Sequence, residues 1–455
     1  MDRFLACLAI LVAKLVSNLI RLSGLGMASS LPGKVAQTIY PKILPYLAEK
    51  LTVGCLAVTG TNGKSTTSGL LASILSQANY RVIHNRQGAN LIPGIIAAFV
   101  QAAKWNATLT NNFGLLEVDE AALPLLTKAI NCQSIVVTNL YRDQLDRFGE
   151  LDKTARLIME GIKEKHSQAI LNADDPNVCN LPCSTDKIFY GLNYRSDKAN
   201  SEISYCPKCG NEISYSASEI SPNAWHCANC GYGQPQLNFF ADRIQLFPDS
   251  STFVVNTKDE NIAVNLPLPG IFNVYNATAA GAAASNLGIN LETIKLGLEK
   301  YETLFGRSEK LSINSRTVII QLIKNPAGAS KSLVSLANSQ CAKAIIAIND
   351  NFADGRDVSW LWDANFEVLS GMNASFIVSG QRAQDMAVRL KYAGIPENKI
   401  SCVPSLPSAF RVALDQIQSN NTLWVLPTYT ALLEIQRIIK RYNKTTANNL
   451  HASSK

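Results

Sequence analysis

The stretch Val53–Thr67, VGCLAVTGTNGKSTT, decides the fold. Val53–Val58 is apolar or small, with only Gly54 interrupting, and reads as a short buried strand; from Ser65 the run STTSGLLASILSQA reads as a helix. Between them lies the turn Gly60-Thr61-Asn62-Gly63-Lys64-Ser65. A glycine-bearing turn at a strand-to-helix junction lets backbone N–H groups curl around an anion at the helix N-terminus, where unpaired dipoles already favour negative charge. Lys64 can then reach the outer phosphates, and Ser65 or Thr66 can ligate magnesium. A Gly/Asn turn that merely joins a strand to a helix is the plainer reading. It requires strand, two glycines, lysine, hydroxyl pair and apolar helix to coincide by chance.

The usual eight-residue phosphate loop would place glycine at 58, where this chain has Val58. The shortened TGTNGKST turn instead resembles the ATP loop of the Mur ligase and folylpolyglutamate synthase superfamily. That resemblance implies ATP held by Gly60, Thr61, Asn62, Gly63, Lys64, Ser65 and Thr66 in a central α/β domain.

The chain has 455 residues, enough for roughly two to four domains. A hydrophobic content of 47% is ample for buried cores. A net charge of +7 suits anionic small molecules or an acidic membrane surface and falls short of a nucleic-acid footprint. Eleven cysteines, an odd count, exclude a complete intramolecular disulfide framework, and a nucleotide-loop protein points to a reducing cytosol.

Phe4–Leu22 is the most apolar window. Lys14, Asn18 and Arg21 disfavour a spanning helix, and no small-residue cleavage site marks a secretory signal. With Ser17 these residues fall at i, i+3, i+4 and i+7, on one face of a helix opposite a wide apolar face. Such a segment can lie in a membrane interface or pack on the protein's own body. Gly24–Gly33, with Pro32, reads as a turn-rich link.

Tyr80–Ile83 reads as a second strand, followed by the polar loop Asn85–Asn90, where the superfamily places a substrate- or metal-facing loop. Phe113–Val118 is another strand, ending in Glu117-Val118-Asp119-Glu120. Ligands of an open parallel sheet sit beyond the carboxyl ends of its strands, so acidic residues there face bound phosphates and can hold Mg²⁺. Glu117 stands where Mur ligases carry their magnesium glutamate; a solvated acidic cluster is the alternative. Ser134–Asn139 is the next strand, running into NLYRDQLDRFGELD, in which Gln144 replaces the histidine usual in Mur ligases. That run resembles the MurT branch of the superfamily. In AILNADDP, Asp174 and Asp175 are either structural or part of the nucleotide edge.

Cys206 and Cys209, then Cys227 and Cys230 after a gap of 17 residues, form two CxxCG turns. Two such turns make a closed tetrahedral site, which implies structural rather than catalytic zinc. His226 is a spare ligand that four cysteines make unnecessary. A zinc ribbon can bind nucleic acid, but Asn211–His226 carries Glu212 and Glu219 and no Arg or Lys to neutralise phosphates. It reads instead as a brace inserted in the ATP domain. The remaining seven cysteines read as small core residues.

Asn276, opening NATAAGAAASNLG, offers the donor and acceptor that adenine recognition needs, or else caps the helix. The surrounding run resembles the superfamily's G-x-[HF]-N-x-x-N segment, and TLFGRSE resembles its domain-closing stretch, with Arg307 a candidate phosphate contact. Strand and helix alternate again from about Lys310, as a smaller α/β domain. Its run NDNFADGRDVSWLWD suits a partner or a small cation, or is an Asp-Gly turn with Trp360 and Trp362 in the core. The tail after Tyr442 reads as disordered.

The resemblance to MurT proteins covers about Ser30 to Lys440. It implies a Mur ligase-like ATP domain at 45–309 with a four-cysteine zinc ribbon near 201–237 and a Rossmann-like partner-binding domain at 310–445, after the amphipathic segment and linker read from the residues at 1–44. It also implies ATP- and Mg²⁺-dependent amidation, in the cytoplasm, of the D-glutamate α-carboxylate in the lipid II stem peptide. Catalytic roles fall to Lys64 and Glu117. Ammonia would come from a glutaminase, GatD, whose Cys-His dyad is completed by Asp354 or Asp357. The chain itself shows no glutaminase nucleophile with a nearby base. A ligase that adds an amino acid, and a zinc-ribbon ATPase acting on nucleic acid, are the competing readings.

Overall fold

Strands buried on both faces of a parallel sheet draw on continuous apolar runs, and the run before the phosphate loop is one. The computed structural model describes residues 1–23, 30–85, 89–140, 150–163, 167–181, 186–194, 205–215, 224–247, 249–302, 307–313, 316–339, 341–351, 354–418 and 421–452. The chain divides into two units, residues 1–142 with 149–301, and residues 143–148 with 302–455.

The first unit contains β1 (Gly54–Thr59), β2 (Val82–His84), β3 (Phe113–Glu117), β4 (Ser134–Val137), β5 (Gln168–Asn172), β6 (Lys187–Leu192), the short ribbon β7 (Ser214–Tyr215) and β8 (Trp225–His226), then β9 (Phe239–Leu246), β10 (Ser251–Asn256) and β11 (Asn261–Leu266). Its helices are α1 (Asp2–Ser23), α2 (Leu31–Ile39), α3 (Ile43–Ala48), α4 (Lys64–Gln77), α5 (Ile92–Ala102), α6 (Leu123–Ala129), α7 (Glu150–Lys163), α8 (Pro176–Cys179), α9 (Ile271–Asn286) and α10 (Leu291–Glu299). Nine strands pair in the order β11-β10-β9-β6-β5-β4-β1-β3-β2. The pairs from β2 to β9 are parallel, and β9-β10-β11 is an antiparallel extension. Period-2 alternation divides the core. Ala57, Ile135 and Val137 face α1, α2, α3, α5 and α6, whereas Leu56, Val58 and Val136 face α4, α9 and α10. Strand β1 lies between β3 and β4, so connections leave it in opposite directions. That reversal opens a crevice at the carboxyl ends of β1, β3 and β4.

The second unit contains β12 (Arg307–Ile313), β13 (Arg316–Gln321), β14 (Cys341–Ala347), β15 (Ser375–Ser379), β16 (Ile400–Cys402) and β17 (Thr422–Pro427), with α11 (Pro326–Ala337), α12 (Ala383–Tyr392), α13 (Leu406–Gln416) and α14 (Tyr429–Ala452). The strand order is β12-β13-β17-β14-β15-β16, parallel except for the antiparallel edge pair β12–β13.

Three features differ from the sequence expectation. The link ends sooner, because α2 starts at Leu31 with Pro32 in its first turn, where a missing N–H costs nothing; residues 24–29 lie outside the described residues. The tail after Tyr442 continues α14 to Ala452 rather than fraying. Cys55, Cys132, Cys179 and Cys341 are buried, but Cys7 is only partly so and Cys402 is exposed; Cys183 lies outside the described residues. Helix α1 packs on α2 and α5 through Ala6, Ala9, Ile10, Ala13 and Ser17, the side that carries small residues.

Candidate active site

Gly60 and Gly63 have φ of +121° and +84°, conformations that L side chains resist. Space also demands glycine: a Cβ on Gly60 would fall 2.3 Å from Thr138 Oγ1, and one on Gly63 2.2 Å from Asn276 Oδ1. The loop's middle peptide is clamped from β4. Asn139 Oδ1 accepts from Asn62 N at 2.9 Å, Asn139 Nδ2 donates to Asn62 O at 2.9 Å, and Thr138 Oγ1 donates to the same oxygen at 2.7 Å.

Lys64 is buried and folds back over the loop. Its ammonium donates to Gly60 O, to Thr61 O at 3.3 Å and to Glu120 Oε1 at 2.8 Å, so its charge is matched without leaving the turn. Ser65 Oγ donates to Glu117 Oε1 at 2.6 Å, while Glu117 Oε2 is buried with no hydrogen-bond partner among the described residues. A carboxylate oxygen left bare in a buried site beside a hydroxyl is the donor set that a hard cation takes. Asn85 fixes this carboxylate's backbone, accepting from Glu117 N at 2.9 Å and donating to Glu117 O at 2.7 Å. Thr66 is half-buried beside them.

Asn276 rests on the loop rather than at a distance from it. Its Oδ1 accepts from Thr67 Oγ1 at 3.3 Å, and its Nδ2 donates to Asn273 Oδ1 at 3.4 Å. The structure thus brings Gly60 to Thr66, Glu117 and Asn276 together at one end of the sheet. Arg307 opens β12 in the second unit, and its side chain lies outside the described residues, as do Tyr141–Gly149 and Arg86–Gly88.

The tandem aspartates separate into two structural roles. Asp175 caps α8, accepting from Asn177 N and Val178 N, and also accepts from Leu140 N at 2.8 Å. Asp174 accepts from Leu192 N at 2.8 Å, Tyr275 Oη at 2.8 Å and Gln234 Nε2 at 2.5 Å; burial pushes its carboxyl up to about 6 against those donors.

The sulfurs of Cys206, Cys209, Cys227 and Cys230 lie within 4.8 Å of one another, with Cys206–Cys230 at 3.6 Å and Cys209–Cys227 at 3.4 Å. Tetrahedral zinc thiolates sit about 3.8 Å apart, so the cluster fits a metal ion. Gly210 and Gly231 take φ of +74° and +70° in twin turns. The Asn211 backbone and the Asn229 side chain draw the Cys209 thiol down to about 6. Against the Tyr232 backbone donor, burial and the neighbouring sulfurs push Cys230 up to about 12. Zinc binds such sulfurs as thiolates in closed tetrahedral sites. The ribbon is fastened to β5: Trp225, buried, donates through Nε1 to Ala173 O at 2.9 Å.

In the second unit, both oxygens of Asp354 are engaged at the start of α14, by Thr430 N at 2.7 Å and Thr430 Oγ1 at 2.5 Å. Asp357 Oδ1 accepts from Ser359 N at 2.8 Å. Trp360 is buried, but Trp362 is 55% exposed and stacks edge-on with exposed Tyr392 at 5.7 Å.

Residues 58–284 match the Mur ligase middle domain and residues 322–432 the MurT ligase C-terminal domain. Over 394 residues the chain is 36% identical to the lipid II isoglutaminyl synthase (glutamine-hydrolyzing) subunit MurT of Staphylococcus aureus strain COL, spanning 85% of this chain and 88% of that one. The chain belongs to the MurT family. Its counterpart from Streptococcus pneumoniae is 33% identical over 429 residues, 92% of this chain and 94% of that one. Among solved structures, MurF from Acinetobacter baumannii superposes with a TM-score of 0.67 at 19% identity, over 92% of this chain and 81% of that one, which establishes a Mur ligase-like α/β fold.

In this MurT-family chain the sequence marks Asn85 only as part of a polar loop and does not mark Thr138 and Asn139 as site residues. They are short polar residues at strand ends, and only sheet order shows that these ends converge on Asn62 and Glu117. Glu120 was visible as part of an acidic cluster, but not as the partner of Lys64.

Proposed function

We propose that this chain is the ATP-dependent ligase subunit of a lipid II isoglutaminyl synthase, converting the D-glutamate α-carboxylate of the stem peptide to D-isoglutamine. Residues 45–309 form the ATP-binding domain and residues 310–445 the partner-binding domain. The observation that carries the reading is the buried Glu117 Oε2, bare of hydrogen bonds beside Ser65 and one strand away from the Lys64 loop.

Ser65 and Glu117 would hold Mg²⁺, which offsets charge on the β- and γ-phosphates. Backbone N–H groups from Gly60 to Ser65 cradle the phosphates. Lys64, exchanging Glu120 and the loop carbonyls for ATP, follows the γ-phosphoryl as it transfers. The substrate carboxylate oxygen attacks the γ-phosphorus, the bond to the β–γ bridging oxygen breaks, and ADP leaves. Ammonia then attacks the acyl phosphate carbon, phosphate departs and the nitrogen loses a proton. Asn276 and Arg307 are the nucleotide contacts outside the loop.

Ammonia comes from a GatD-like glutaminase partner. Asp354 or Asp357 completes that partner's catalytic dyad. Structural zinc in the four-cysteine ribbon braces the ATP domain. The reaction takes place in the cytoplasm, with residues 4–22 in peripheral contact with the membrane that carries the lipid-linked substrate; Asp2–Ile20 is also long and apolar enough to cross one.

Purified chain with ATP, magnesium and lipid II should form the amide with free ammonia, and with glutamine only when the glutaminase subunit is added. Product that appears only with an amino acid as nucleophile would replace this reading by that of a peptide-bond-forming ligase.

A further inference from the structure

Helix α1 is built the wrong way round for a helix that serves only the core. Its small residues Ala6, Ala9 and Ala13, with Ile10 and Ser17, face α2 and α5 and are buried. Five of its large apolar residues point out: Phe4 is 70% exposed, Leu8 39%, Leu11 40%, Leu15 51% and Leu19 65%. These five fall at i, i+4, i+7, i+11 and i+15, a single stripe along the helix.

We propose that this stripe docks on an anionic bilayer surface, with α1 lying in the plane of the interface and its alanine face fixed to the protein. Charge selects the occupant. Residues 1–52 hold six basic residues against two acidic ones, and the exposed Arg3, together with positions 14 and 21, falls by helical register on one flank of the stripe. Lys14 anchors that flank, donating to Ala103 O at 2.6 Å and Gln101 O at 3.3 Å. Beside it stands Trp105, 59% exposed, with the Lys14 ammonium 5.8 Å from its ring centroid. An exposed tryptophan next to a basic flank and an apolar stripe suits the headgroup region of a membrane. A second protein copy would bring the same positive flank against itself. The inference sharpens the peripheral contact proposed above and is independent of the amidation chemistry.

The test is co-sedimentation of the full chain with vesicles of phosphatidylglycerol and phosphatidylcholine, and with vesicles of phosphatidylcholine alone. The chain should pellet with the anionic vesicles, less so at high salt. The triple variant F4S/L15S/L19S should lose about tenfold or more in vesicle partitioning. Because the three side chains are outside the core, its unfolding midpoint and its turnover of detergent-dispersed substrate should stay as in the parent. A parent chain that remains in the supernatant with anionic vesicles overturns the proposal, as does a triple variant that pellets equally well. So does a concentration-dependent dimer that the variant abolishes while neither protein binds vesicles. Loss of amidation with vesicle binding intact would count against the catalytic reading alone.

Discussion

Asp174 sits where β5, β6, the ribbon and α9 meet, partly shielded from solvent, and its carboxyl is held by three donors. Burial lifts it from 3.8 to about 6 even though Leu192, Tyr275 and Gln234 all donate to it. A folded-state value above the unfolded one means the protonated form is the stabilising one. Its contribution is complete below the unfolded value and is lost as pH rises through about 6. A shift of this size costs the folded state about 3 kcal/mol near pH 7.5 and about 1 kcal/mol near pH 4.5. The substitution Asp174→Asn removes the charge while keeping an oxygen for Leu192 and Tyr275; its amide can donate to Gln234 once that side chain turns over. Urea unfolding of parent and variant across this pH range should show the difference in stability moving by about 2 kcal/mol in the variant's favour towards neutral pH. A difference that stays constant with pH would show that Asp174 is charged at no cost, and the account of this junction would fail.

Further outcomes follow from the two candidate sites. Glu117→Gln keeps the bond to Ser65 but removes the charge awaiting magnesium, so ATP consumption should fall on the order of a hundredfold, with a higher magnesium requirement; parent-like rates at ordinary magnesium would remove Glu117 from the metal site. Cys209→Ser should lower bound zinc well below about one ion per chain and alter the emission of Trp225, whose ribbon loses its brace; zinc content unchanged by the substitution would point to other ligands. Asp354→Ala should cost about 1–2 kcal/mol by uncapping α14 at Thr430, readable in thermal unfolding. Asp357→Asn should spare ammonia-driven amidation while suppressing the glutamine-driven reaction, and equal loss of both would place it elsewhere in the chemistry.

What could be read from sequence was what is local in the chain. Gly60 to Ser65 lie within one turn, so their backbone demands and their chemistry appear together, and Glu117 is legible because strand ends face the ligand in any open parallel sheet. The cysteine turns are local twice over. Asn85, Thr138 and Asn139 act only because β2 and β4 lie on either side of β1 and β3, a matter of strand order that no single segment carries. Asp174 and Asp175 are adjacent and chemically identical in sequence. They part company because one faces a helix start and the other faces Tyr275 across 101 positions. Helix α1 misleads for a different reason. Hydrophobicity alone turns leucine inward, yet close packing against α2 and α5 favours a face of alanines that lets backbones approach, and the leucine side is left outward. A soluble helix gains nothing from that arrangement in water, since exposed Phe4, Leu15 and Leu19 forgo burial that the alternative rotation would provide. The orientation makes physical sense only if something apolar covers the stripe. The excess of basic residues in the same 52-residue stretch favours a surface that is negative as well as apolar.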